Sequence, residues 1–318
     1  MSYRRFLLLS PLLALALAVV LLAAQDRLRP GLRSAAVVSA PARGPHRPEA
    51  GSDDVAAGAA VADADLAIFR EKLGWARARR LDTLPLGEII ARLGESFVGT
   101  TFKPYTLEAP GPERLVVNLR ELDCVTFVEN VLVLARLVRA GQDDFDGYRA
   151  ELTRVRYRDG RLDGYPSRLH YFSDWVADNE RKGLVRDLTR ELGGVADPEP
   201  IHFMSTHPDA YRQLAEPGVF EAIRATEAVL SRRTRYTIPE AKIADVAPEI
   251  GNGDVIAATT NIPGLDVAHT GIALWKNGAL HLLHAPLVGK SVEISERPLA
   301  ERIRRIASQD GIMIARPR

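Results

Sequence analysis

Cysteine is the scarcest reactive group in this chain, with one residue, Cys124, among 318. An intrachain disulfide is therefore impossible, and without C-x-x-C pairs the usual thiolate zinc sites are excluded as well. An excess of charge of either sign is also missing. The 42 Lys and Arg against 41 Asp and Glu leave +1, with the basic residues scattered, so nothing points to a nucleic-acid partner. Aromatic residues make up only 6% of the chain, yet 46% is hydrophobic, which can supply a core for one large domain or two small ones. No internal repeat is visible.

What is present begins with one apolar run. Residues 1–24 open with Arg4 and Arg5, pass through Phe6-Leu7-Leu8-Leu9 into a Leu/Ala/Val stretch and end at Ala23-Ala24. A positive start, an apolar middle and small residues at a cleavage point make a secretory signal. The run is also close to the roughly 20 residues that a membrane anchor needs. Under either reading the rest is exported, and the expected location is the periplasm, at the inner membrane if residues 6–24 are retained. Residues 25–63, rich in Ala, Pro, Arg and Gly, read as a disordered tether. A single folded domain is expected over residues 64–318.

Within that domain the patterning predicts helices at Leu86 to Leu93, Val125 to Val138, Tyr148 to Arg156 and Pro217 to Leu230. Extended segments are expected at Leu115 to Leu119 and Ile201 to Met204. The C-terminal part is strand-rich: Val255 to Thr260, Val267 to Trp275 and Ala279 to Pro286, with Val292 to Ile294 as a further short strand. Asn277-Gly278 between two of these is the strongest hairpin signal in the chain.

The lone cysteine sits where chemistry is favoured. Asp123 is a natural N-cap, so Cys124 falls in the first turn of the 125–138 helix, where unpaired N–H groups and a partial positive charge stabilise a thiolate. A small buried hydrophobe is the competing reading. The hairpin then sorts the histidines. With a two-residue turn at Asn277-Gly278, Trp275 opposes Leu280, Ala273 opposes Leu282 and Gly271 opposes His284; His269 shares the face of His284, whereas His281 opposes Leu274 on the other face. Gly271, without a side chain, leaves room for two imidazoles to meet. A cysteine at a helix start with a histidine on a strand and a second polar group behind it is how thiol hydrolases are built on unrelated folds. Cys124 would attack a carbonyl, His269 would carry the proton, and His284 would fix its tautomer. Two alternatives stand beside this: histidines satisfied in the core, and a metal site of Cys124, His269 and His284, for which no carboxylate or further thiol lies at ligand spacing.

These residues also carry a resemblance. Asp123-Cys124, His269-Thr270-Gly271-Ile272 and His284-Ala285 resemble the Asp-Cys, His-x-Gly-Ile and His-Ala elements of the NlpC/p60 papain-like superfamily of cell-wall hydrolases. With Pro104-Tyr105, Asn118 through Glu129, Arg156 to Gly160, Ser167 to Tyr171, Asp174-Trp175, Met204-Ser205, His207-Pro208 and Gly264 to His269, the chain looks like the N-acetylmuramoyl-L-alanine amidase-like branch from about residue 85 onward. The resemblance implies an α+β fold, a nucleophile helix on a small antiparallel sheet with further inserted helices, and amide bonds of peptidoglycan or muropeptides as substrate. It implies catalysis by Cys124, His269 and His284 with no metal or organic cofactor, in a protein read as a monomer. Tyr105 and Asp123 would lie beside the nucleophile, and Arg168, His170, Tyr171 and Trp175 would line the cleft. Val125-Thr126 departs from the Ser-Gly that often follows Asp-Cys in the superfamily, which leaves the scissile bond open. Cleavage between the muramoyl group and L-alanine is the preferred reading, with a γ-D-glutamyl-diamino acid endopeptidase and a non-catalytic wall-binding protein as alternatives.

Overall fold

The computed structural model describes residues 52–287 and 291–318, with side chains from residue 63 onward. The expected signal or anchor at 1–24, and the tether as far as residue 51, lie outside the described residues.

The chain opens with helix α1 (Ser52–Ala78), followed by α2 (Leu86–Glu95), the short strands β1 (Thr101–Phe102) and β2 (Glu121–Leu122), α3 (Cys124–Ala140), α4 (Phe145–Arg156) and α5 (Phe172–Arg181). Strands β3 (Val185–Asp187) and β4 (Val195–Asp197), the helical turn α6 (Phe203–Thr206), α7 (Pro217–Arg232) and β5 (Arg235–Pro239) come next. The last third holds the turn α8 (Ile243–Val246), β6 (Val255–Thr260), β7 (Val267–Lys276), β8 (Ala279–His284), β9 (Glu293–Ile294), α9 (Leu299–Arg304) and β10 (Gln309–Pro317). Helix α1 begins well before the expected domain start. Its first turns lie in an Ala-rich stretch that resembles a tether in composition but is also a strong helix former.

The fold is α+β. An antiparallel eight-stranded sheet runs β4-β5-β10-β6-β7-β8-β9, with β3 also pairing to β10. It is larger than the small sheet expected from the sequence, because β10 joins its two halves. Alternation along the strands splits the core. Val255, Ala257, Ile272, Leu274 and Leu283 pack with the helical layer that contains α1 to α5. Ile256, Ala258, Ala273, Leu282 and Ile312 pack on the opposite face with Leu299 and Ile303 of α9. With both faces covered, all six residues of β6 are buried. A third cluster gathers Tyr171, Ile201, Phe203, Met204, Ile223 and Leu230 around α6 and α7.

Two expected extended segments take another form. Residues 115–118 are coil, and the paired strand is displaced to Glu121–Leu122. The 201–204 segment ends in the α6 turn instead of a strand. Side chains there replace ladder partners: Met204 N–H donates to Tyr171 Oη at 2.9 Å and Ser205 N–H to Glu227 Oε1 at 3.0 Å. The hairpin follows its turn chemistry. Asn277 and Gly278 both take positive φ (52° and 77°), and Lys276 pairs with Ala279, Trp275 with Leu280 and Ala273 with Leu282.

Candidate active site

Asp123 starts helix α3 with a closed capping box. Its Oδ1 accepts from Thr126 N–H at 2.8 Å, and Thr126 Oγ1 accepts from Asp123 N–H at 2.9 Å. Thr126, one of the two residues that depart from the superfamily pattern, thus has a structural duty. Cys124 is the first helical residue and is partly exposed, with the backbone amides of Thr270, Val125 and Cys124 itself facing its sulfur.

The histidines arrive from the other side of the sheet. His269 pairs with Ala258 on β6, and both belong to the face that carries α9. Between Ala258 and Thr259 the register shifts, so Ala268 is an extra residue in β7 directly before His269. A bulge at this position turns the strand end and re-aims the side chain beside it. His269 Nε2 lies 2.7 Å from His284 Nδ1, with the rings edge to face. Helix layer and strand face therefore meet at the end of the sheet, where Cys124 and His269 line one cavity of about 410 Å³. His281 bonds the Ser295 carbonyl through Nδ1 at 2.8 Å and does not line this cavity.

Gly271 permits the close approach. A Cβ there would lie 2.7 Å from the Leu283 carbonyl oxygen and 2.9 Å from His284 Cβ. Gly271→Ala is expected to destabilise the fold by roughly 1–3 kcal/mol and to displace His284. Its unfolding midpoint and its kcat should fall together, whereas unchanged kcat would show that the imidazole pair tolerates the shift.

The residues expected around the nucleophile divide into two groups. Tyr105, Asp123, Arg168, His170 and Tyr171 all line the cavity, and Trp175 does not. Trp175 is fully buried and stacks on Phe172 at 4.8 Å inside the helical core. Helix α5 starts at Phe172, so Trp175 lies one turn in, on its buried face. Tyr105 is 52% exposed and holds φ of 60°, a left-handed conformation that is costly for a bulky residue. Arg168 is anchored beneath the surface: Nη1 donates to the Leu107 carbonyl at 2.8 Å, Nη2 pairs with Glu108, and the guanidinium lies 4.7 Å from the Tyr165 ring. It shapes the loop that carries Tyr105. His170 Nε2 contacts the Tyr165 carbonyl at 2.9 Å, and Tyr171 donates to Glu227 Oε1 at 2.6 Å. Sequence reasoning missed Arg302 and Gln309 on the α9 and β10 side of the cavity. A six-residue helix gives too little periodicity to be seen.

The N-acetylmuramoyl-L-alanine amidase-like family matches residues 92–312. The chain belongs to that family. An N-acetylmuramoyl-L-alanine amidase from Bacteroides uniformis is 38% identical, with a TM-score of 0.70 over 73% of this chain and 99% of that one. A Bacteroides fragilis structure, described provisionally as a xylanase, is 40% identical with a TM-score of 0.67 over 70% and 98% of the two chains. A Legionella pneumophila protein at 22% identity and a TM-score of 0.60, over 81% of this chain and 96% of that one, shares the fold. No curated protein matches the chain.

Burial governs protonation in this amidase-like site. Dehydration, and next the neighbouring Asp123 carboxylate, push the Cys124 thiol up to about 12, against the pull of the amides that face it. Burial, and next the Arg302 guanidinium, hold His269 well below the usual imidazole value. Burial holds His284 down likewise, with His269 and then Arg302 adding to it. The helix terminus, legible from residue order, favours a thiolate near neutral pH; burial, which residue order does not reveal, acts against it. Burial therefore favours the neutral form of both groups, the thiol on Cys124 and the uncharged imidazole on His269. Alkylation by iodoacetamide should therefore accelerate about tenfold per pH unit from 7 to 9, since only the thiolate reacts. A plateau near neutral pH would instead mean a thiolate–imidazolium pair at rest.

Proposed function

We propose that this amidase-like protein is an exported cysteine hydrolase of peptidoglycan that cuts the amide between the muramoyl group and L-alanine, in a domain of the NlpC/p60 papain-like kind. The observation that carries this is the meeting of Cys124 and His269 in one cavity, with His269 Nε2 tied to His284 Nδ1 at 2.7 Å. Tying Nε2 leaves His269 Nδ1 as the nitrogen available to the sulfur.

In this mechanism the scissile carbonyl enters beside the head of α3. Cys124 Sγ attacks the carbonyl carbon as its proton passes to His269 Nδ1, and negative charge develops on the carbonyl oxygen. The first amides of a helix have no intrahelical partner, so the Cys124 N–H donates to that oxyanion. Collapse expels the peptide amine, which takes the proton from His269, and leaves a thioester on Cys124. Water then attacks the thioester with His269 as base, returning the thiol and the muramoyl carboxylate. His284 holds the imidazole in place throughout.

A glycosidase reading, raised by the name of the Bacteroides fragilis structure, needs two carboxylates at liberty across the cleft. The cavity's carboxylates have other duties: Asp123 caps α3, Glu108 pairs with Arg168, Glu129 pairs with Arg156 at 2.7 Å, and Asp266 accepts from Ser173 N–H at 2.7 Å. The peptidoglycan reading also agrees with an N-terminal segment suited to export into the periplasm, whether cleaved or kept as an anchor. Incubation with purified sacculi tests it: soluble peptide should be released over time. Binding to sacculi without release would make the protein a wall-binding module instead.

A further inference from the structure

We propose that Glu293 is a positioning residue for the cysteine–histidine pair, its carboxylate holding His284 in the Nε2–H tautomer. The inference rests on the hydrolase reading above and deepens it. The starting observation is a chain of polar groups that stops one step short. His284 is 2% exposed, its Nδ1 meets His269 Nε2 at 2.7 Å, and its Nε2 is buried with no hydrogen-bond partner. A buried ring nitrogen left in that state is costly. Glu293 Oε1 faces it at 4.0 Å. The pairing is built into the sheet, because Glu293 of β9 stands directly opposite His284 of β8 and opposed residues share a face. At 4.0 Å, with the Glu293 side chain 43% exposed, one bridging water closes the gap.

Tautomer logic makes this contact matter. A neutral imidazole has one donor and one acceptor nitrogen. For His269 Nδ1 to accept the thiol proton, its own proton must sit on Nε2 and be donated to His284 Nδ1. His284 then carries its proton on Nε2, aimed at Glu293. In the reverse arrangement His284 Nδ1–H donates to His269 Nε2, which places the His269 proton on Nδ1, where it blocks transfer from sulfur. A carboxylate beyond Nε2 selects the working arrangement and favours the imidazolium that forms during attack. Other charges face the pair: Arg302 from α9 disfavours the imidazolium, and Asp123 stands beside Cys124 at the head of α3.

The test compares the full-length protein with Glu293→Ala and Glu293→Gln, using kcat and KM on a muropeptide across pH 5 to 9 and histidine ring 15N shifts by NMR. The Ala variant should lose about 10- to 100-fold in kcat with KM unchanged. The Gln variant, which keeps an acceptor oxygen, should recover part of that loss. Removing the negative charge should move the acidic limb of the kcat profile to lower pH in both. The ring shifts should show Nε2–H on His284 in the parent and loss of that preference in Glu293→Ala. A parent with Nδ1–H on His284, or an Ala variant with the parent's kcat and pH profile, would overturn the proposal. Should Cys124→Ala remain active in the same assay, the cysteine-hydrolase reading fails as well; should only the Glu293 results fail, that reading stands.

Discussion

Cys124→Ala is expected to lower kcat/KM on a muropeptide by about 10⁴-fold or more while leaving the fold intact. The sulfur is the only cysteine in the chain, so nothing nearby can replace it as a thiol nucleophile. Alanine is the best helix former, and the capping box that starts α3 is made by Asp123 and Thr126, not by residue 124. The unfolding midpoint should therefore stay within a few degrees of the parent. Cys124→Ser should be nearly as inactive, because a serine hydroxyl in this dehydrated position gives up its proton even less readily than the thiol. Rates measured beside circular dichroism check both statements. A folded Cys124→Ala protein with parental activity would remove the sulfur from the mechanism.

The second large effect is on stability. Glu129, on the buried face of α3, and Arg156, at the end of α4, form an ion pair at 2.7 Å with side chains 1% and 2% exposed. Arg156 Nη1 also donates to the Val116 carbonyl at 2.6 Å, which ties down the segment leading to Asp123 and Cys124. Arg156→Met strands a carboxylate in the core and should cost about 3–5 kcal/mol. For a domain of this size that is a fall of roughly 10 °C in midpoint. Adding Glu129→Leu removes the stranded charge and should restore most of the loss, since a buried pair exchanged for apolar residues is often close to neutral. Thermal unfolding of the single and double variants decides the matter. A single variant as stable as the parent, or a double variant no better than the single, would contradict it.

The parts of this molecule legible in its sequence are those governed by local chemistry. Asp123 marks the head of α3 because a capping side chain works through its own neighbours. Asn277-Gly278 marks the hairpin because two positive φ values need such residues, and strand alternation then places His269 beside His284 and turns His281 away. What stayed hidden depends on contacts between distant segments. Strand β10 joins the sheet's two halves, but Gly311 and Pro317 interrupt its pattern and both its faces are covered. Trp175 follows cationic and aromatic neighbours and so resembles a cleft wall, yet the start of α5 at Phe172 turns it into the core. The segment at 201–204 alternates like a strand, but its N–H groups go to Ser231 Oγ, the Gly264 carbonyl and Tyr171 Oη instead of a ladder partner. The pull of the helix terminus on Cys124 is local and legible, whereas the opposing effect of burial arises from everything packed around the sulfur.

The central claim is that this cavity hydrolyses the amide joining the muramoyl group to L-alanine through the Cys124 sulfur. Mass spectrometry of a defined muropeptide after incubation with the purified protein, beside Cys124→Ala, tests it most directly. The account predicts a muramoyl sugar with a free lactyl carboxylate together with an intact stem peptide beginning at L-alanine, and neither product with the variant. A muramoyl sugar still carrying L-alanine and D-glutamate, from a cut at the γ-D-glutamyl bond, would contradict it.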